Sequence, residues 1–265
     1  MSVPIVLTIA GSDSGGGAGI QADLKTFAAL GVYGASALTA LTAQNTKDIF
    51  EIYEVPADFI AAQIDAVFSD LEVGALKIGM LGSASAIAAV SNGLRRHQAR
   101  NVVLDTVMVA SSGEQLLHGD AIGALRELIA QAHLVTPNLP EAAALLEAEE
   151  ARDEEEMHAQ AQKLLALGAG AVLIKGGHGS GSESVDILVE GKSRTRFTAP
   201  RIVTRNNHGT GCTFASAIAA GLAKNLSLKD AVRQAKAFVT AALEAADRLQ
   251  IGSGSGPVHH FHKWW

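Results

Sequence analysis

The sequence predicts an α/β fold in which a mostly parallel sheet carries helices on both faces, and three observations support it. Short runs rich in β-branched residues alternate with segments of helical periodicity along most of the 265 residues. Hydrophobic residues make up 48% of the chain and aromatic residues only 5%, which indicates a large core of closely packed small side chains. Glycine-rich turns follow several predicted strands, and in such sheets ligands bind beyond the carboxyl ends of the strands.

The elements follow one another as strand and helix along the chain. In each predicted helix the apolar residues recur every three or four positions, as Ile20, Leu24 and Phe27 do in the first one. We predict strands at 3–10, 35–42, 75–81, 101–108, 133–138 and 171–177, and helices at 18–31, 57–72, 83–97, 119–132, 139–150, 211–224 and 228–248. Two further segments, 185–191 and 194–200, predict a small antiparallel hairpin at one edge of the sheet.

The intervals between these elements predict the domain organisation. The acidic run at 147–156 is typical of a solvated junction between two helices. No linker long enough to divide domains interrupts the pattern, so residues 1–265 are expected to form one domain.

Composition and charge exclude several classes of function. The net charge is −6, from 21 basic and 27 acidic residues, and no basic cluster indicates a surface for nucleic acid. No apolar run reaches the length that spans a membrane. The N-terminus lacks the pattern of a secretory signal, and a single cysteine cannot form an internal disulfide. We therefore expect a cytoplasmic protein that binds neither nucleic acid nor membrane.

Polar or glycine-rich segments follow four predicted strands. The turn at Ala10–Gly19 suits an anion or a flat ligand, but a purely structural turn explains it equally well, and it matches neither the phosphate loop nor the dinucleotide fingerprint. Asp105 ends an apolar strand, where a carboxylate is costly unless it is hydrogen-bonded, paired or bound to a metal. Asn138 and Glu141 have a spacing that suits either a shared ligand or a capping box. Lys175 precedes two glycines at a strand end, which favours a phosphate partner.

The only cysteine, Cys212, follows a Gly-Thr-Gly turn at the start of an alanine-rich helix. Gly209 and Gly211 leave their amides accessible, and the helix N-terminus adds unpaired N–H groups and about half a positive charge. Such a site stabilises an anion and lowers the pKa of a cysteine in the first turn. The motif therefore predicts a site that holds a transferring phosphoryl group while the Cys212 thiolate accepts a proton from the acceptor hydroxyl.

Taken together, these segments closely resemble the hydroxymethylpyrimidine/phosphomethylpyrimidine kinases of thiamine biosynthesis, a branch of the ribokinase-like superfamily. The resemblance extends over nearly the whole chain. It rests on IAGSDSGGGAGIQADLKTF at 9–27, LTAQNT at 41–46, KIGMLGS at 77–83, VLDTVM at 103–108, TPNLPEA at 136–142, IKGGH at 174–178 and HGTGCTFASAIAA at 208–220. It implies a three-layer ribokinase-like sandwich and two ATP-dependent phosphorylations. The first is of the hydroxymethyl group of 4-amino-5-hydroxymethyl-2-methylpyrimidine, and the second is of its monophosphate.

The resemblance also implies roles for individual residues. Gln44 would recognise the aminopyrimidine, and the residues that would line the same pocket are Gly11, Ala18, Asp23, Met80 and Val107. Asp105 and Glu141 would act on Mg²⁺, directly or through waters, because hard oxygen ligands suit that ion. The phosphates of ATP would contact Asn138, Lys175 and Thr210, whereas the anion hole and the base would be Gly209, Gly211 and Cys212. The family also implies a homodimer.

Two positions differ from the form common in the family. Thr106 stands where proline is common, and Ser111 stands where lysine often occurs, so that loop lacks the basic contact that a lysine could make to the product phosphate. The glycine- and serine-rich segment Gly176–Ser184 predicts a mobile flap over the site.

Three other functions compete with this interpretation. A pyridoxal kinase of the same branch shares most of the motifs, and only pocket residues such as Gln44 favour the pyrimidine. A dinucleotide-dependent oxidoreductase would need the glycine fingerprint that is missing here. A non-catalytic binding protein of the same fold would not need a phosphoryl-transfer set such as Asp105, Glu141, Lys175 and Cys212.

Overall fold

One nine-stranded sheet runs through the protein, whose computed structural model describes residues 3–109, 113–177 and 181–265. Its strands are β1 (Ile5–Asp13), β2 (Tyr33–Gln44), β3 (Ile49–Glu54), β4 (Val73–Ile78), β5 (Val102–Leu104), β6 (Leu134–Val135), β7 (Val172–Lys175), β8 (Glu183–Glu190) and β9 (Ser193–Pro200). The helices are α1 (Gly19–Ala29), α2 (Ala57–Phe68), α3 (Ala84–Arg96), α4 (Ile122–Ile129), α5 (Leu139–Leu146), α6 (Glu154–Leu165), α7 (Thr210–Ala223) and α8 (Leu228–Glu244).

The strands lie in the order β3-β2-β1-β4-β5-β6-β7-β8-β9. All neighbours from β2 to β7 pair in parallel, whereas β3 is antiparallel to β2 and the β8–β9 hairpin is antiparallel at the opposite edge. The mostly parallel sheet and the edge hairpin are therefore confirmed. The chain passes from β1 to β2 on one side and returns to β4 on the other, so the order reverses beside β1 and leaves a crevice at the carboxyl ends of β1 and β4.

Helices bury both faces of the sheet, as the alternation of side chains in a strand requires. On one face Leu7 and Ile9 of β1 pack in a cluster with residues of α2 to α6. On the other face Val6 packs with Phe27 of α1 and with the alanine-rich helices α7 and α8. The predicted three-layer architecture is confirmed.

Several boundaries differ from the predicted ones for local physical reasons. β3 was not predicted, because its apolar residues lie at an edge, where Phe50 is 68% and Tyr53 is 63% exposed. The strand predicted at 101–108 ends at Leu104, since the chain leaves the sheet there to carry Asp105 into the crevice. β6 has only two residues because the cap of α5 begins at Asn138.

Other predictions concern the chain between and beyond these elements. The predicted helix–helix junction is confirmed, because α5 ends with Glu147 in the left-handed conformation and Asp153 caps α6. Ser111 and residues 178–180 of the predicted flap lie outside the described residues. Within the described ranges, no helix is both long and apolar enough to cross a membrane.

Candidate active site

A cavity of about 880 Å³ opens at the carboxyl ends of the parallel strands, where the reversal in strand order leaves a crevice. It brings together all but one of the residues that the sequence predicted. Those that line it are Gly11, Ala18, Gln44, Met80, Asp105, Val107, Asn138, Glu141, Lys175, Gly209, Thr210, Gly211 and Cys212.

Asp23 is the exception, and its prediction as a pocket-lining residue is wrong. It lies on the face of α1 that packs towards α7 and is fully buried. Its carboxylate accepts hydrogen bonds from Thr8 Oγ1 at 2.6 Å, Ser216 Oγ at 2.6 Å and Lys77 Nζ at 2.9 Å. Burial alone would lower the pKa of Lys77, but the charge of Asp23, with Cys212 and Asp105 behind it, raises that pKa instead. A buried ion pair therefore lies below the site.

The glycine-rich turn after β1 wraps around its own carboxylate, that of Asp13. Oδ1 of Asp13 accepts from the amide of Gly15 at 2.8 Å, and Oδ2 accepts from the amides of Gly17 at 3.0 Å and Ala18 at 2.8 Å. His208 Nε2 lies 2.9 Å from the same Oδ2. Burial raises the pKa of Asp13, but the hydrogen bond from His208 and the backbone amides outweigh it and lower that pKa. The carboxylate is ionised and fixes the turn.

His208 connects this turn to the Gly-Thr-Gly-Cys turn at the start of α7. A Cβ added to Gly17 would lie 2.4 Å from Cδ2 of His208, so only glycine lets the imidazole ring approach. Neither His208 nor Asp13 is among the residues predicted from the sequence. An aspartate two residues ahead of three glycines is the available signal, because such a side chain often caps the amides that follow it.

Gln44 ends β2 and lines the cavity close to His208, beside a bulge in the pairing of β2 with β3. Its Oε1 lies 3.1 Å from Thr42 Oγ1, and its Nε2 lies 3.4 Å from Nε2 of His208. Met80 and Val107 line the same cavity with apolar side chains. This end of the cavity can hold a flat ring that offers a polar edge to one carboxamide.

Charged side chains meet near the middle of the cavity. Lys175 Nζ lies 2.6 Å from Asp105 Oδ1, and Thr136 Oγ1 donates to the same oxygen at 3.2 Å. Lys175 is the last residue of β7 and lies beside Asn138, with which it forms an isolated parallel bridge. The carboxylate of Asp105 is 2% exposed, so the ammonium group of Lys175 satisfies a charge that would otherwise be costly.

Glu141 and Asn138 form the capping box that their spacing allowed. Asn138 Oδ1 accepts from the amide of Glu141 at 2.8 Å, and Glu141 Oε2 accepts from the amide of Asn138 at 2.9 Å. Thr106 Oγ1 also donates to Glu141 Oε2 at 3.1 Å. Burial, with a further contribution from Asp105, raises the pKa of Glu141 to about 7 against the opposing effect of Lys175. The carboxylate of Glu141 therefore caps α5 and also lines the cavity.

The Gly-Thr-Gly-Cys turn forms the first turn of α7. Gly209 is its N-cap with φ 78°, and a Cβ there would lie 2.0 Å from the carbonyl oxygen of Gly17, so the position requires glycine. The first residues of α7, Thr210 to Cys212, line the cavity and have no intrahelical partner for their amides, although the amide of Thr210 donates to the carbonyl oxygen of Asn207 at 3.2 Å. A Cβ added to Gly211 would be 3.5 Å from Lys175 Nζ, which places the turn against the charged cluster.

The prediction of a lowered pKa for Cys212 is wrong. Burial raises the pKa of its thiol to about 11, and the carboxylates of Asp23 and Asp105 add to that effect. Lys77 and a backbone hydrogen bond involving Gly19 act in the opposite direction without cancelling it. Burial and two nearby negative charges therefore outweigh the effect of the helix N-terminus on the pKa of Cys212. The thiol is protonated at neutral pH.

A second buried ion pair, which was not predicted from the sequence, borders the cavity. Lys236 Nζ of α8 lies 2.7 Å from Asp186 Oδ2 of β8, and Asp186 Oδ1 accepts from the amide of Gly176 at 3.0 Å. Gly176 follows Lys175, so the pair fixes the backbone from which the Lys175 side chain extends. A lone aspartate inside the apolar run VDILV is the sequence signal for it.

The segment after α8 crosses the outside of this site. The amides of Gly254 and Ser255 donate to Oγ1 and the carbonyl oxygen of Thr46, at 3.1 and 2.8 Å. The carbonyl oxygen of Gly256 accepts from the amide of His208 at 3.0 Å. Residues 252–258, which we call the C-terminal strap, thus hold the loop after Gln44 and the Gly-Thr-Gly-Cys turn in one place.

Comparison with known proteins gives the same identification as the motifs. The family model described as phosphomethylpyrimidine kinase matches residues 13–259. The hydroxymethylpyrimidine/phosphomethylpyrimidine kinase of Rhizobium meliloti (strain 1021) is 58% identical over 262 residues, which cover 98% of each chain.

Solved structures agree with this fold. An ADP complex of Bacillus subtilis pyridoxal kinase is 38% identical, covers 98% of both chains and has a TM-score of 0.90. The phosphomethylpyrimidine kinase of Clostridium difficile 630 is 40% identical with a TM-score of 0.81, covering 91% of this chain and 100% of that one. On these similarities and the motifs assembled in its cavity, the chain belongs to the phosphomethylpyrimidine kinase family.

Proposed function

We propose that this protein transfers a phosphoryl group from ATP to the hydroxymethyl group of 4-amino-5-hydroxymethyl-2-methylpyrimidine, and then to the resulting monophosphate. One observation carries the proposal: the carboxamide of Gln44 and the anion-binding turn at Gly209–Cys212 line one cavity. A ring paired with Gln44 can therefore present its substituent to the N-terminus of α7. The name of the 58% identical relative supports the same substrate.

The aminopyrimidine suits the end of the cavity near Gln44. A carboxamide has one acceptor and two donors, which match a ring nitrogen beside an exocyclic amine. The apolar side chains of Met80 and Val107 are proposed to contact the ring, with the backbone of Gly11 and Ala18 beside it. Asp23 does not contact the substrate in this proposal, because its carboxylate is enclosed by Lys77, Thr8 and Ser216.

The phosphates of ATP are assigned to the basic and amide-rich part of the cavity. Lys175 lies there, and we propose that it exchanges part of its contact with Asp105 for phosphate oxygens. Asn138 and Thr210 line the same region. The solved ADP complex of a structurally similar kinase supports ATP as the donor.

The donor set near Lys175 also fits Mg²⁺. No group of three or more His, Cys, Asp or Glu side chains converges as a metal site in the part of the chain that is described. Mg²⁺ bound with a nucleotide needs only one or two carboxylates, and Asp105 and Glu141 supply these, directly or through water. When bound, the ion would supply positive charge that offsets the charge of the phosphates.

The chain's own contribution to phosphoryl transfer is positioning and charge stabilisation. The amides at the start of α7 would stabilise the charge on the transferring group, since Gly209 and Gly211 leave the approach open. Cys212 is proposed to accept the proton of the substrate hydroxyl. Only a small fraction of its thiol is ionised at neutral pH, but a loose transition state allows the proton to leave late and makes this contribution modest.

Pyridoxal phosphorylation is a second candidate, favoured by the fold similarity to the Bacillus subtilis pyridoxal kinase. Pyridoxal lacks the acceptor-and-amine edge, so a buried amide that faces it loses a hydrogen bond worth about 1–3 kcal/mol. We expect kcat/KM for the aminopyrimidine to exceed that for pyridoxal by at least about tenfold. An assay that couples ADP release to a spectroscopic signal, run with both substrates, tests this expectation. Equal values would favour the pyridoxal kinase.

The Gln44→Met variant sharpens that assay. It should remove most of the preference by weakening the aminopyrimidine and should not raise kcat for pyridoxal. A wild-type preference that persists in Gln44→Met would show that another residue selects the substrate.

We further propose one kinase domain over residues 1–265 that forms a homodimer in the cytoplasm. One sheet includes every described strand, which supports a single domain. Leu41 of β2 and Phe50 and Tyr53 of β3 are 45%, 68% and 63% exposed at a sheet edge, and a second copy would cover them. The cytoplasm supplies ATP and requires no disulfide. Light scattering after gel filtration would contradict the dimer if it gave the mass of one chain.

A further inference from the structure

The side-chain amide of Gln44, as placed, cannot form good hydrogen bonds with both of its neighbours. Thr42 Oγ1 lies 2.8 Å from the carbonyl oxygen of Ser12, which can only accept, and 3.1 Å from Gln44 Oε1, which can also only accept. A hydroxyl has one hydrogen, so it cannot donate to both oxygens. The hydroxyl of Thr42 therefore donates to the closer oxygen, that of Ser12. The end of the Gln44 amide that faces Thr42 then needs to be a donor.

The other end of the amide has the opposite problem. His208 Nε2 lies 2.9 Å from Asp13 Oδ2, in a carboxylate that also accepts three backbone amides. A carboxylate held in this way is ionised and can only accept, so Nε2 of His208 must carry a hydrogen. The Nε2 group of Gln44, which is also a donor, lies 3.4 Å from this N–H, so two donors face each other. The group that faces His208 needs to be an acceptor.

Exchanging the two ends of the amide resolves both conflicts at once. We propose that Thr42 and His208 lock the Gln44 carboxamide with its NH₂ group towards Thr42 and its oxygen towards His208, and so determine which way round the substrate binds. Thr42 then accepts from the amide while it donates to Ser12. The His208 N–H points at two oxygens, those of Asp13 and Gln44. Each end of the amide keeps one valence for the ligand.

This orientation agrees with where the substrate must react, and here the inference rests on the proposed function. In the aminopyrimidine the amine lies between the ring nitrogen and the carbon that bears the hydroxymethyl group. The amine must pair with the amide oxygen, which is on the His208 side. The neighbouring hydroxymethyl group then also lies on the His208 side, next to Gly209–Cys212. The reverse orientation of the amide would direct the hydroxymethyl group away from that turn.

Thr42 provides the first test, because valine has the same shape as threonine and lacks the hydroxyl acceptor. Thr42→Val should raise KM for the aminopyrimidine by about tenfold and leave KM for ATP nearly unchanged. Thr42→Ser keeps the hydroxyl and should recover most of the lost kcat/KM. The loss should disappear in a Gln44→Leu background, where there is no amide to orient. Additive losses in the Thr42→Val/Gln44→Leu double variant would overturn the orientation role.

His208→Phe provides the second test, since it keeps a ring against Gly17 and removes the N–H. We expect it to lower kcat/KM about tenfold for the aminopyrimidine but much less for an analogue that lacks the exocyclic amine. Equal losses for the two compounds would mean that His208 acts only on the shape of the site, and the proposal would fall. If Gln44→Leu itself has no effect, both the role of Gln44 and this inference fail. An effect of Gln44→Leu with additive double variants overturns the inference alone.

Discussion

Replacing Lys77 by methionine should destabilise the protein strongly, because it leaves the carboxylate of Asp23 without its cation. Both side chains are 0% exposed, so water cannot replace the lost charge. Breaking a buried pair by removing one partner costs about 3–5 kcal/mol. At about 2–4 °C per kcal/mol for a chain of this size, Tm should fall by about 6–20 °C. Thr8 and Ser216 still donate to Asp23 at 2.6 Å, which favours the lower part of that range.

The change in Tm is measured directly by thermal unfolding of both proteins in the same buffer without ligand. The double variant Asp23→Asn/Lys77→Met removes both charges and should recover a large part of the stability lost in Lys77→Met. Arg96→Met is the control, because Arg96 pairs with Asp65 at the surface, where both side chains are about half exposed and solvent screens the pair. A Tm of Lys77→Met within about 2 °C of the wild type would show that the unpaired carboxylate of Asp23 does not destabilise the protein. A double variant with a Tm no higher than that of Lys77→Met would lead to the same conclusion.

Three further predictions concern the site. Cys212→Ala should lower kcat by about 10²-fold and abolish a rise of kcat with pH from neutrality towards 11, since the ionised fraction of the thiol grows over that range. Near-wild-type turnover in Cys212→Ala would reduce this residue to packing. Asp105→Asn should lower activity and raise the Mg²⁺ concentration at half-maximal rate, and an unchanged Mg²⁺ titration would leave Glu141 as the principal carboxylate. Lys236→Met should raise KM for ATP more than KM for the aminopyrimidine, because it loosens the Asp186–Gly176 contact behind Lys175. Equal changes in both KM values would mean that the pair supports the fold as a whole.

The sequence predicts those parts of the fold and the site that depend on local pattern. Helical periodicity, strand ends and the Gly-Thr-Gly-Cys turn are local, and the structure brings the residues they indicate to one cavity. The depth of Asp23 and the raised pKa of Cys212 depend on contacts between distant parts of the chain. Ser216 contacts Asp23 across 193 residues, and His208 contacts Asp13 across 195. No local pattern states which of these side chains meet, so their charges could not be assigned before the fold was known.

The edges of the sheet show the same limit. β3 is rich in isoleucine and aromatic residues, but they do not alternate with polar ones, and only its pairing with β2 distinguishes it from an exposed loop. Asn138 and Glu141 were open to two interpretations, and the structure shows that the capping box is formed. A ligand role for the same carboxylate is a separate question that the Mg²⁺ titration addresses.

The C-terminal strap has a consequence for how the protein is made. Gly254 contacts Thr46 across 208 residues, so the loop after Gln44 has no outer support until residues 252–258 have left the ribosome. The N-terminal strands can pair early, but the walls of the pocket come together only after residues 252–258 have been synthesised. A nascent chain therefore carries an unfinished pocket until those residues are in place, and bound substrate would stabilise only molecules in which the C-terminal strap has docked.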